Sequence, residues 1–117
     1  MTFFDRLLRR QQPVGPVQHP GVRPGCTPLV DVELGRMVRV CGDITSVIFR
    51  PETTVAALEA EIEDGTARLR IVWLGRASIR GIEPGRAIIA EGRVVRSGDM
   101  LLMNNPRYEL MPRGNAE

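Results

Sequence analysis

The sequence predicts a small all-β barrel, and three observations carry that prediction. From Leu34 onward apolar and polar residues alternate with a period of two, as they do along half-buried strands. Turn signals containing glycine, Asp64-Gly65 and Ser97-Gly98, separate the alternating runs. The chain has 117 residues, 43% hydrophobic and 26% charged, which suits one core and not two.

Ahead of the barrel the chain divides by composition. Residues 2–12 read as a short amphipathic helix. Thr2 and Asp5 form a weak capping box, Phe3, Phe4, Leu7 and Leu8 fall on one stripe, and Arg6, Arg9 and Arg10 face away. About three turns are marginal alone, so this helix must dock, either on its own barrel or on a partner. Residues 13–33 form a Pro/Gly-rich linker, carrying Pro13, Pro16, Pro20, Pro24 and Pro28.

Within the barrel, residues 36–50 make a long first strand, apolar at Val38, Val40 and Ile44, with Gly42 where a bend or bulge is needed. Residues 54–63 turn Leu58, Ala60 and Ile62 inward and Glu59, Glu61 and Glu63 outward. Asp64-Gly65 then makes a two-residue hairpin, and residues 66–74 answer with Leu69, Ile71 and Trp73 inward. That turn places Glu61 opposite Arg68 and Glu59 opposite Arg70. A short helical turn is expected over 75–85, a fourth strand over 86–96 and a fifth over 99–103. Residues 104–110 trail off, the barrel ends by residue 112, and 113–117 form a disordered tail.

Function classes are narrowed mainly by what the residue pattern lacks. Cys26 and Cys41 stand 15 apart with only His19 nearby, too few ligands for a zinc site, so both read as reduced bystanders. No phosphate-cradling glycine motif and no nucleophile–base arrangement occurs, so neither catalysis nor a cofactor is expected. No apolar run approaches the roughly 20 residues that span a bilayer, and residues 1–10 are too charged for a secretory core. The expectation is a cytoplasmic protein without integral membrane association.

All 16 basic residues are arginine, a planar fork suited to phosphate and carboxylate. The net charge is +2, and the excess of arginine lies in the first 28 residues, so the barrel itself is near neutral.

Five strands with a helix between the third and fourth follow the order of an OB-fold, a Greek-key barrel. Several segments sharpen this: Val38-Arg39-Val40-Cys41-Gly42, Glu63-Asp64-Gly65-Thr66-Ala67, residues 69–74 and Ile82-Glu83-Pro84-Gly85-Arg86. Glu91-Gly92-Arg93-Val94 and Asn105-Pro106-Arg107-Tyr108-Glu109 complete the set. In order and spacing they resemble the OB-fold nucleic-acid-binding family. The likeness is to the wedge domain of RecG-type helicases, to anticodon-binding barrels of tRNA synthetases and to small stand-alone actinobacterial OB-fold proteins.

The resemblance implies a non-enzymatic protein binding single-stranded or structured DNA, or RNA, weakly and salt-dependently, in repair, recombination or replication. Phe49, Arg50, Arg70, Trp73, Arg76, Arg93, Arg96, Arg107 and Tyr108 are the expected contacts. Two features depart from it. No helicase motor motif is present, and Phe3 and Phe4 take two of the five aromatics away from the barrel. The stripe of Glu59, Glu61 and Glu63 also opposes phosphate. Trp73 shares the parity of core residues, and Tyr108 suits either stacking or plugging the barrel end. The alternative is a protein-interaction adaptor whose barrel and N-terminal helix dock on a repair or replication protein.

Overall fold

The computed structural model describes residues 23–51 and 55–112. The expected N-terminal helix, the linker up to residue 22 and the tail lie outside them. Six strands follow one another: β1 Met37–Arg50, β2 Ala57–Glu63, β3 Arg68–Leu74, β4 Ala87–Ser97, β5 Met100–Asn104 and β6 Arg107–Leu110. They hydrogen-bond in the order β1-β2-β3-β5-β4-β6, and a β1–β4 pairing closes the first five into a ring. All pairings are antiparallel except β3 with β5.

The ring closes because β1 serves two neighbours. Met37–Asp43 pairs with β4 and Asp43–Arg50 with β2. The sequence places the bend at Gly42; the irregularity in register falls between Ile44 and Ser46. Gly42 has a different task. A Cβ there would stand 2.6 Å from the carbonyl oxygen of Glu63, so β1 crosses the end of β2 at a distance only glycine permits.

Alternation delivers the core as the sequence implies. Val40, Ile44, Leu58, Ala60, Ile62, Leu69, Ile71, Ile88, Ala90, Val94 and Met103 are buried together inside the ring. Leu29 joins them, fully buried, from a single 3₁₀ turn at Leu29–Asp31. Part of the proline-rich stretch is therefore packed against the barrel.

Three expectations are corrected. No helix lies between β3 and β4: residues 75–86 form successive turns, and Gly75, Gly81 and Gly85 have positive φ, which interrupts any helical run. Ile79 and Ile82 nonetheless point from this loop into the core. The chain has a sixth strand where residues 104–110 were expected to trail off; β6 pairs with β4 along Ile88–Glu91. The β2–β3 loop is longer than two residues, so Glu61 stands opposite Arg70 and Glu63 opposite Arg68. The reason is Asp64, which turns its side chain inward and bonds the loop's own amides.

Candidate functional site

Two surfaces hold the residues that the sequence singles out. The first is the outer face of β1, β2 and β3, where the glutamates of β2 meet arginines on both sides. Arg50 Nε lies 3.0 Å from Glu59 Oε1 and Arg70 Nε lies 3.8 Å from the same oxygen. Arg68 reaches Glu61 at 3.9 Å and Glu63 at 3.8 Å. The Arg50 contact is close but out of line, so Glu59 Oε1 is buried without a hydrogen bond. Of these ion pairs, those of the exposed Arg68 contribute little to stability, while those of Glu59 are more buried. The larger effect of the whole set is to occupy Arg50, Arg68 and Arg70 with carboxylates.

The second surface is the end of the barrel where β3 finishes. Trp73 is buried, and its ring meets Tyr108 edge-on, with centroids 5.6 Å apart and planes at 73°. Tyr108 itself is 39% exposed. Phe49, also exposed, shares a cross-strand row with Leu58 and Trp73.

The bond pattern explains how Tyr108 reaches Trp73. Asn105 adopts a left-handed conformation, φ 48°. Its amide donates to the carbonyl of Val72 at 2.7 Å, and its Oδ1 accepts the Leu74 amide at 3.0 Å. Between β5 and β6 the register on β4 slips by one residue, from Val94↔Met103 to Glu91↔Arg107. This bulge pins the start of β6 against the end of β3.

Arg107 stands opposite Glu91, but Glu91 is engaged by Arg39 at 3.0 Å. That hydrogen bond and the charge behind it raise the Arg39 pKa still further, although the partial loss of solvent opposes it. Among the described residues Arg76, Arg96 and Arg107 form no ion pair. Arg76 is exposed, just after Gly75, whose amide is fixed to Ala56 at 2.6 Å.

The expected contacts do not form one patch. Phe49, Trp73 and Tyr108 gather at the β3 end of the barrel, with Arg76 in the loop that follows, while Arg107 borders a pocket shared with Arg39, Glu91, Tyr108 and Glu109. Arg50 and Arg70 lie on the ion-paired face. Arg93 is turned to other work, donating to the Gly35 carbonyl at 2.7 Å. Arg96 lies toward the opposite end, sharing a groove with Val30, Leu34, Arg68 and Asp99. Trp73 is a brace under Tyr108 rather than an open platform.

Sequence reasoning missed two features. Asp64 is a buried carboxylate, and the Asp-x-Thr spacing with Thr66 was its one available signal. The thiols of Cys26 and Cys41 are hydrogen-bonded to each other, which separation in sequence does not reveal. Burial pushes the Cys26 thiol up to about 12; the hydrogen bond to Cys41 and its charge add to the rise, while Arg39 and Arg23 oppose it. Among the described residues no group of His, Cys, Asp and Glu is arranged to hold a metal, and no helix is long and apolar enough to cross a membrane.

No protein-family model and no curated protein matches the chain. Among solved structures, the OB domain of Ta0387 from Thermoplasma acidophilum, determined by NMR in solution, is similar to it with a TM-score of 0.57 and 24% identity. The match covers 73% of this chain and 85% of that one. The likeness is one of fold: the ring-closed sheet is an OB-fold barrel.

Proposed function

We propose that this chain is a non-enzymatic nucleic-acid-binding module for single-stranded or structured DNA. It reads little sequence and serves repair, recombination or replication, as the resemblance of its sequence motifs to those of wedge domains and small stand-alone actinobacterial OB-fold proteins implies. The observation that carries the proposal is the exposed Tyr108 ring held edge-on by buried Trp73, with Arg107, next to it in the chain and on the rim of the same pocket, making no ion pair. A rigid aromatic beside an uncommitted guanidinium offers a base one face to stack on and its phosphate one fork to bind. Phe49 and Arg76 extend the same end of the barrel.

The test is fluorescence anisotropy of a labelled single-stranded oligonucleotide, titrated at low and then moderate salt. Binding is expected at low salt and fades as salt rises, because bound phosphate releases counterions. Replacing Tyr108 and Arg107 together by alanine should weaken it by about 1–3 kcal/mol for the lost stack alone, with the fold intact. No binding at low salt overturns the proposal.

A second reading has its own support. The β2–β3 face presents Arg50, Arg68 and Arg70 already matched to glutamates, which suits a protein partner better than a polyanion. Should the oligonucleotide not bind, an adaptor docking on a repair or replication protein becomes the better account.

A further inference from the structure

The chain's two cysteines play no part in the function proposed above, yet the fold brings them together. Cys41 sits on β1 between Val40 and Gly42, and alternation turns it away from the barrel interior. It is nevertheless buried, only 1% exposed. Its cover is the segment just before the barrel. Thr27 donates its amide to the carbonyl of Arg39 on β1 at 2.8 Å, and Cys26 closes a turn onto Arg23 at 3.1 Å. This fixes Cys26 over the strand with its thiol against that of Cys41. Cys26 is itself half-exposed, at a pocket whose lining includes Asp31, Glu33, Arg36 and Met37. One reachable thiol and one sheltered thiol thus stand in contact, bracketing the turn that carries Leu29.

We infer that Cys26 and Cys41 are an intramolecular disulfide site, through which a low-molecular-weight disulfide reversibly fastens the segment before β1 to the strand. The chemistry is a pair of exchanges. The Cys26 thiolate attacks one sulfur of the small disulfide, making a mixed disulfide and expelling one small thiolate. Cys41 then loses its proton and attacks the Cys26 sulfur, forming the Cys26–Cys41 bond and expelling the second. Two protein thiols are oxidised, one external disulfide is reduced to two thiols, and the protons balance. The bond closes a ring of about 15 residues.

The environment sets the rate. Burial and the Cys41 contact keep the Cys26 thiol protonated at neutral pH, against the pull of Arg39 and Arg23. Exchange therefore accelerates about tenfold per pH unit as thiolate accumulates.

The test uses the full chain, folded, incubated with oxidised glutathione at pH 7.5 and pH 8.5. Remaining thiols are then trapped with N-ethylmaleimide and the intact mass is read. The expected product is a monomer that has lost two hydrogens, retains no glutathione and takes up no maleimide, forming faster at the higher pH. Dithiothreitol restores both thiols. Trypsin cuts after the exposed Arg36, and the peptides holding Cys26 and Cys41 should stay joined until reduced. Cys41→Ala should stop at one glutathione adduct, and Cys26→Ser should acquire neither adduct nor disulfide while folded. Two thiols still alkylated in the wild-type chain, glutathione retained on it, or a disulfide-linked dimer overturns the inference, whichever variants fold.

Discussion

The Asp64 carboxylate accepts the backbone amide of Leu29 at 2.8 Å, joining residues 35 apart in sequence. Its other oxygen takes the Thr66 amide at 2.8 Å, the Thr66 hydroxyl at 2.6 Å and the Ala67 amide at 3.3 Å. One buried carboxylate therefore shapes the β2–β3 loop and seats the segment that inserts Leu29 into the core. Hydrogen bonds to a charged group are stronger than neutral ones, and a buried amide left without a partner is costly. Asp64→Ala should lower the free energy of unfolding by about 2–4 kcal/mol in urea titration. Asp64→Asn, which keeps an acceptor, should lose about half as much. Equal losses in the two variants would show that the charge does not matter.

Gly42 offers a second test of packing. An added methyl would meet the backbone carbonyl of Glu63 at 2.6 Å, and that backbone is held in the sheet. At Gly92 the nearest atom is Met103 Cγ at 2.9 Å, on a flexible side chain. Gly42→Ala should destabilise by about 1–3 kcal/mol, the range for overpacking. Gly92→Ala should cost less, and thermal melts of the two variants decide the order.

Arginines on the two surfaces should respond differently to an oligonucleotide. Each lost phosphate contact reduces the slope of log affinity against log salt by about 0.7 for a single strand. Arg107→Gln and Arg76→Gln should each show that reduction. Arg68→Gln should leave the slope unchanged, because Glu61 and Glu63 already occupy its guanidinium. A reduced slope for Arg68→Gln alone moves the site to the β2–β3 face.

The Cys26 thiol gives a pH dependence of known sign. An unfolded chain ionises it at the ordinary value of 9.0, whereas in the folded chain the thiol is pushed up to about 12, chiefly because it is buried. Between those values the unfolded state sheds a proton that the folded state keeps. The thiol's contribution to stability is thus whole below pH 9 and declines as pH rises through that window. Under reducing conditions, the urea midpoint of the parent chain should fall between pH 8.5 and 10.5 more steeply than that of Cys26→Ser. Parallel curves would show that the thiol titrates normally in the folded chain.

How far the sequence could be read depends on what kind of information each element needs. Leu58, Ala60, Ile62, Leu69, Ile71 and Trp73 were legible because alternation fixes which face is buried. The hairpin register was not. Two turn residues suffice for Asp-Gly if the aspartate points outward, but Asp64 turns inward and the loop grows to accommodate it. Leu29 was hidden by its setting, since the alternation beside it runs through Val30, Val32 and Leu34, the other parity, of which Val30 and Leu34 are exposed. The turns over 75–86 carry Arg76 and Arg80 among Ile79 and Ile82, a helix-like spacing, yet three glycines break it. At the candidate site, Tyr108 and Arg107 could be named from their motif. Their meeting with Trp73 depends on the Asn105 bulge, a contact between distant strands that no local pattern encodes.

The same bulge bears on how other molecules can engage this chain. Strand addition requires a bare row of amides and carbonyls, and such rows are scarce on the described barrel. β4 is flanked by β1 on one side and by β5 and β6 on the other, while Thr27 takes a carbonyl on the half of β1 that β2 does not reach. Where β3 outruns β5, the Asn105 side chain stands in for the missing strand at Leu74. The outer side of β6 is four residues long and carries Arg107 and Glu109, charges that discourage backbone pairing. A peptide grafting itself on as an extra strand finds little purchase here, and the same closure shields the described barrel from edge-to-edge aggregation.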